Sequence, residues 1–292
     1  MTYRTVSRLK LKLLVLASLL VFSASLLAAD ILFVSDSDND ENIAPVLAAD
    51  GHNVTVVLDD YVDDVSEDNV VLQGDLSSYG CVVWAASGEG SGDDHNSTTI
   101  NNLSSWVSSG GTVFVTGYDS IASPTDEELI GFVGGTDSDD SSGDNDTGPV
   151  TGTNILSTGL IDIVGVTPTG GYSDSDALLG LGLDTDCVAE RTGESSGNCA
   201  WSVRSLGLGQ IAYVSNGEDD GADHPSWEDT STGGDGAYNA AVRNFAFNCG
   251  AAINPNPVST QSVPALSSWS IAILAAVLAL FAGIMIRRRT VS

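Results

Sequence analysis

From residue 30 to residue 250 this 292-residue chain contains no lysine and only three arginines, Arg191, Arg204 and Arg243. All 39 acids fall in the same span, so that region carries −36 while the whole chain stands at −29. A surface so short of cations repels phosphate backbones and anionic headgroups, which excludes nucleic-acid binding. There is no internal repeat. The four cysteines form no CxxC pair, which disfavours zinc and thiol redox chemistry. Nor is there a Gly-x-Ser-x-Gly: Ala85 precedes Ser87 where the first glycine of a nucleophile elbow would stand. Apolar residues are not scarce. They make up 42% of the chain and include five Trp, enough to build a core and to argue against disorder.

The remaining bases stand at the two ends. Arg4, Arg8, Lys10 and Lys12 precede an apolar run over residues 13–27, and Ala28-Ala29 supplies small residues before Asp30. Residues 1–29 therefore read as a secretory signal cut before Asp30. Leu27, three positions before that bond, is larger than such sites prefer and leaves an uncleaved anchor as the alternative. At the other end a polar, Pro-containing linker (251–262) leads into Val263-Pro264-Ala265-Leu266, Trp269, an apolar run ending at residue 286, and Arg287, Arg288 and Arg289. Residues 269–286 would form about 27 Å of helix at about 1.5 Å per residue, against a hydrocarbon core of about 30 Å. Trp269 suits the interface and the arginines stay cytoplasmic, which puts the acidic domain on the far side of a membrane. A buried core helix is the alternative, which a terminal arginine triplet opposes.

This tail resembles the IPTL-CTERM sorting signal of Gram-negative bacteria, a relative of the PEP-CTERM class. That pattern is Ile-Pro-Thr-Leu-x-x-Trp-Gly, then a transmembrane helix and a basic cluster. Pro264, Leu266 and Trp269 match it, while Val263, Ala265 and Ser270 are small departures. The resemblance covers residues 263–292. It implies an inner-membrane-anchored precursor with a periplasmic domain, recognition by an exosortase-type transpeptidase, and transfer to the cell surface.

Residues 30–250 have an α/β rhythm. The continuous apolar run at 31–34 and the largely apolar segments 54–58, 81–86, 112–116 and 210–215 read as strands, several buried on both faces. Residues 42–49, 98–109 and 237–247 read as helices; Ile100, Leu103, Trp106 and Val107 line one face of the second, and Gly110-Gly111 close it. Alternation of this kind predicts a mostly parallel sheet with flanking helices. Residues 132–176, dominated by Gly, Ser, Thr and Asp, read as a loop-rich insertion, and 187–191 with 199–204 as a late antiparallel hairpin.

The runs Tyr79 to Trp84, Gly110 to Gly117 and Gly207 to Val214, the last before a final helix, resemble the class I glutamine amidotransferase-like group. These are flavodoxin-like sheets that include ThuA-type and DJ-1-type domains. The resemblance places a nucleophilic cysteine on the turn after the fourth strand, where this chain has Gly117 in Thr116-Gly117-Tyr118-Asp119. The family's His-Pro-Glu becomes His224-Pro225-Ser226. A base without a nucleophile cannot run that mechanism, so neither amidotransferase nor cysteine-peptidase activity is expected.

Cys187 and Cys199 flank the expected hairpin, and an exported chain favours disulfides. Cys81 opens a strand and Cys249 ends a helix; both fall at one edge of such a sheet, so they pair or Cys81 remains a free buried thiol. His52 reads as a solvated turn residue. His95 and His224 sit in acidic loops, with general-base or metal-ligand roles as the alternative. Asp36, Asp38, Asp40 and Asn42 put an oxygen at every second position, the spacing with which a loop wraps Ca²⁺, although Glu41 replaces the glycine of an EF-hand. They follow the first strand, and Asp119, Glu218, Asp219 and Asp220 follow two others, at the carboxyl edge where α/β folds bind ligands. Asp137, Asp139, Asp140, Asp144 and Asp146 form a second run within the insertion. The alternative for both runs is a solvated acidic surface. The reading is an exported, surface-sorted, non-catalytic module for an extracellular ligand, with Ca²⁺ as its expected cation. Its competitor is an extracellular polysaccharide or peptide hydrolase using Glu89, Asp119 or Glu218 as acid and base.

Overall fold

Short runs in which every residue is apolar can be buried only if both faces of the strand are covered, and that requirement shapes this molecule. The computed structural model describes residues 28–35, 43–58, 70–86, 97–117, 121, 126–139, 147–169, 176–193, 196–215 and 236–252. All belong to the first of the chain's two compact units, Met1–Ile253; the second, Asn254–Ser292, lies outside the described residues. In chain order the elements are β1 (Asp30–Ser35), α1 (Ile43–Ala49), β2 (Asn53–Leu58), a 3-10 turn (Val70–Gln73), β3 (Cys81–Ala85), α2 (Ser97–Ser108) and β4 (Thr112–Gly117). They continue with α3 (Glu127–Val133), β5 (Asp137–Asp139), β6 (Ala177–Leu179), β7 (Thr185–Glu190), β8 (Cys199–Leu206), β9 (Gly209–Ser215) and α4 (Ala237–Ala252).

The chain forms a mixed α/β sheet with strand order β2-β1-β3-β4-β9-β8-β6-β5, with β7 also paired to β8. The first five strands in that order are mutually parallel. The pairs around β8 and β6 are antiparallel. Alternate residues of the parallel strands feed two cores. Ile31, Phe33, Val83, Phe114 and Val214 meet Ile43 and Leu47 of α1 and Ala241 and Phe245 of α4. Leu32, Val34, Trp84, Val115 and Tyr213 meet Leu103 and Val107 of α2 and Leu129 and Val133 of α3. The hairpin between β8 and β9 turns through Gly207-Leu208. Gly207 has φ 62°, and a Cβ there would lie 2.6 Å from the Ser108 carbonyl oxygen, so only glycine lets the hairpin tip fit beneath the end of α2.

The expected strands and helices are present within one to three residues at most ends, and α4 runs to Ala252, five residues beyond the expected 247. The insertion differs. Its expected start falls inside α3, whose Glu127 and Glu128 at the first turn and left-handed Gly134 cap are ordinary helix signals. It includes β5 and ends at Asp176, just before β6. Residues 147–169 contain no helix or strand beyond an isolated Thr147–Arg191 bridge, yet Val150, Leu156 and Ile163 are buried. The segment is tied down by side-chain amides on α4. Asn244 accepts from Ile161 N–H (2.8 Å) and donates to the carbonyls of Leu156 (2.9 Å) and Ile161 (2.6 Å). Asn248 donates to the carbonyls of Ile155 (3.2 Å) and Thr158 (2.8 Å). A polar loop can be packed where its backbone groups find partners.

Cys81 is disulfide-bonded to Cys249, with Cα atoms 5.9 Å apart, and Cys187 to Cys199, 5.6 Å apart. Neither Cys81 nor any other cysteine is a free thiol. Among the described residues no helix is long and apolar enough to cross a membrane. The expected span 269–286 and residues 1–27 of the expected signal lie outside them.

Candidate functional site

Because β2, β1, β3, β4 and β9 are parallel, their carboxyl ends share one edge of the sheet. Pairing keeps the ends level: Ser35 is opposite Leu58 and Ala85, Ala85 opposite Thr116, and Gly117 opposite Ser215. Five strands spaced by about 4.8 Å make a row about 19 Å wide. Residues 36–42, 59–69, 87–96, 118–120 and 216–235 follow these ends in the chain and contain four, six, three, one and seven acids, 21 of the chain's 39. More than half of the negative charge therefore enters the chain from one narrow edge. The segments themselves lie outside the described residues, and with them Asp36, Asp38, Asp40, Asn42, Asp119, Glu218, Asp219, Asp220, Glu89, His95 and His224. Among the described residues no group of three or more His, Cys, Asp or Glu is placed to hold a metal ion.

The three cations of this domain are used inside the fold. Arg243 makes a two-pronged bond to Asp50 at the end of α1, with contacts of 2.5 and 2.7 Å, and that carboxylate raises its pKa further. Arg204 pairs with Asp184 at 3.0 Å and also donates to the carbonyls of Gly131 and Phe132 near the end of α3. The Arg204 hydrogen bond holds the Asp184 carboxyl below its usual range. Arg191, just past β7, is 1% exposed and donates to the Asp139 carbonyl at 3.2 Å.

At the position where the resemblance places a nucleophile, β4 ends in Gly117, which has no side chain to react. The neighbouring Thr116 hydroxyl is buried and donates to the Val214 carbonyl at 2.9 Å. Ser215 is fully buried and its hydroxyl has no hydrogen-bond partner among the described residues. No described histidine can activate it. His52, the histidine among the described residues, stands before β2 at the opposite end of the strands, about 20 Å away along the strand direction at about 3.4 Å per residue and four strands across the sheet. Contrary to the expected solvated turn residue, His52 is buried. Its Nδ1 accepts the Ala29 N–H at 3.2 Å, and burial lowers its pKa while nearby Asp50 opposes that shift.

One buried acid near the carboxyl edge was not singled out by the sequence. Asp176 is 3% exposed, and its carboxylate accepts the N–H of Ile121, four residues past β4, at 3.2 Å. It ties Ile121 to the residue before β6. The only sequence signal is its place directly before the apolar Ala177-Leu178-Leu179.

Residues 261–289 match the IPTL-CTERM motif. The chain carries a C-terminal sorting signal. The motif indicates an exported, membrane-anchored protein and implies processing by an exosortase-type enzyme. No curated protein matches the sequence. Among solved structures, a cytoplasmic protein from Salmonella typhimurium LT2 is 10% identical, covers 77% of this chain and 98% of its own, and has a TM-score of 0.45. The β-galactosidase of Rahnella sp. R3 is 16% identical over 66% of this chain, with a TM-score of 0.39. An exo-β-1,4-mannosidase from Opitutaceae bacterium strain TAV5 is 13% identical over 64% of this chain, with a TM-score of 0.38. This chain spans 29% and 31% of those two glycosidases. Likenesses this distant carry no argument about activity.

Proposed function

We propose that the sorted protein is a non-catalytic surface module that binds or scaffolds an extracellular ligand, its acid-rich sheet edge steadied by Ca²⁺. The observation that carries this reading is the convergence of five parallel strand ends on one edge, from which segments with 21 acids depart. The described arginines do not offset that charge, because Arg191, Arg204 and Arg243 are bonded within the fold. Oxygen-only ligands held close together favour a hard cation such as Ca²⁺ over Zn²⁺ or Cu²⁺. The strand order, with β2, β1, β3, β4 and β9 running parallel, also supports a flavodoxin-like, amidotransferase-like ancestry. Gly117 at the end of β4 supports loss of that family's chemistry. The domain would reach the cell surface of a Gram-negative bacterium from a membrane-anchored, periplasmic precursor.

The test is thermal melting of the full-length chain, titrated with CaCl₂ or treated with EDTA at constant ionic strength. A specific site raises Tm with the logarithm of Ca²⁺ concentration above its Kd, by the equivalent of about 2.7 kcal/mol when Ca²⁺ reaches about 100 times that Kd. A Tm unchanged at millimolar Ca²⁺, or matched by an equal ionic strength of NaCl, ends the cation reading.

A further inference from the structure

Ala29 marks how far an export signal can extend. It is 2% exposed and packs in the core beneath α1 and α4. Its N–H donates to His52 Nδ1 at 3.2 Å, and its carbonyl accepts the Asn53 N–H at 3.0 Å. Those bonds start the β1–β2 ladder, in which Asp30 lies opposite Asn53. Ala28 is exposed. Hydrolysis of the Ala29–Asp30 bond would remove a buried residue and leave the His52 Nδ1 and the Asn53 N–H without partners. It would also place a new ammonium at the first residue of β1, whose carbonyl accepts the Gly80 N–H at 2.9 Å. Hydrolysis of the Ala28–Ala29 bond would put the ammonium beside the buried His52 ring, where burial penalises charge.

An earlier bond avoids both problems. Residues 13–22 form a ten-residue stretch that is apolar except for Ser18, within the roughly 7–15 residues that such signals use, and Ser23-Ala24-Ser25 follows with small residues at the third and first positions before a bond. We propose that a signal peptidase hydrolyses the Ser25–Leu26 bond, so that the mature chain begins Leu26-Leu27-Ala28-Ala29. Water adds its hydroxyl to the Ser25 carbonyl carbon, the C–N bond breaks, and the Leu26 nitrogen takes the proton. Ala29 then keeps a neutral peptide N–H for His52. This inference rests on the reading of the N-terminal region as a cleavable export signal.

The test is expression of the full-length chain in a Gram-negative host, recovery of the envelope fraction and identification of the first residue by mass spectrometry. The expected first residue is Leu26, and Ser25→Leu, which puts a bulky residue beside the bond, should reduce that product at least tenfold. Asp30 as the first residue overturns the argument from Ala29. Any first residue other than Leu26 overturns the assigned bond while leaving export intact. A chain recovered with its first 25 residues attached overturns the cleavable-signal reading itself, and undiminished processing at Leu26 in Ser25→Leu overturns the role given to Ser25.

Discussion

His52 accepts a hydrogen bond from Ala29 through Nδ1, so the neutral ring carries its proton on Nε2, and burial keeps it neutral. An unfolded imidazole titrates at about 6.5. The folded one titrates lower, so between the two values the unfolded state binds more protons and stability falls as pH falls. Stability is fully present above about pH 6.5 and is lost progressively below it. Denaturant melts between pH 5 and 8 should show that slope, and His52→Gln, which keeps an acceptor but cannot titrate, should flatten it. A slope unchanged in the variant would assign the effect to other groups. Asp184 works in the opposite chemical sense but the same direction of pH. Its carboxyl is depressed, so its contribution is present above the ordinary Asp value of about 3.9 and is lost in stronger acid, a window separate from that of His52.

Among the elements, α4 does more than cover the sheet. Asn244 and Asn248 stand one turn apart on it and give the irregular segment 147–169 the hydrogen bonds that a strand or helix would otherwise supply. Asn244→Ala leaves one N–H and two carbonyls without their partner, and each buried unsatisfied group costs about 1–3 kcal/mol. With partial rescue by water, the expected loss is about 2–4 kcal/mol by chemical denaturation. Asn244→Asp should be comparably damaging, because a carboxylate cannot donate to the Leu156 and Ile161 carbonyls. Much of this level is visible in sequence. The apolar runs of β1, β3, β4 and β9 announce strands covered on both faces, and Gly110-Gly111 announces the end of α2. α3 is harder to see, because its seven residues are too short for a clear helical period. The packing of 147–169 is invisible locally, because its partners lie 83 to 93 residues away.

For the whole molecule, the two disulfides and the charge act on very different lengths of chain. Cys81–Cys249 joins β3 to α4 across 168 residues, and Cys187–Cys199 joins β7 to β8 across 12. In the chain-entropy treatment these closures are worth about 5 and about 3 kcal/mol. Cys81→Ser with Cys249→Ser should therefore lower Tm more than Cys187→Ser with Cys199→Ser, and a reductant should abolish the difference. The opposite order would mean that the long closure gains little over an already compact unfolded state. The net of −36 acts through repulsion, which salt screens as the Debye length contracts from about 30 Å at 0.01 M to about 8 Å at 0.15 M. Tm should rise over that range of NaCl, and a flat response would indicate that the acids are already neutralised by bound cations.

The sequence alone determined the C-terminal sorting signal, the strands and the glycine that ends β4. Basic residues at the two ends, the Pro-Leu-Trp motif and Gly117 are each readable from a few neighbouring residues, because they depend on composition and spacing alone. Only the tertiary structure decided that Ala29 belongs to the core, that His52 is buried, and that the three arginines are bonded within the fold. Those facts depend on partners up to 193 residues apart in the chain, such as Ala29 with His52 and Asp50 with Arg243. Local periodicity records which side of an element is apolar. It does not record which distant residue will meet that side, and the pairing of buried polar groups is settled only when the sheet brings them together.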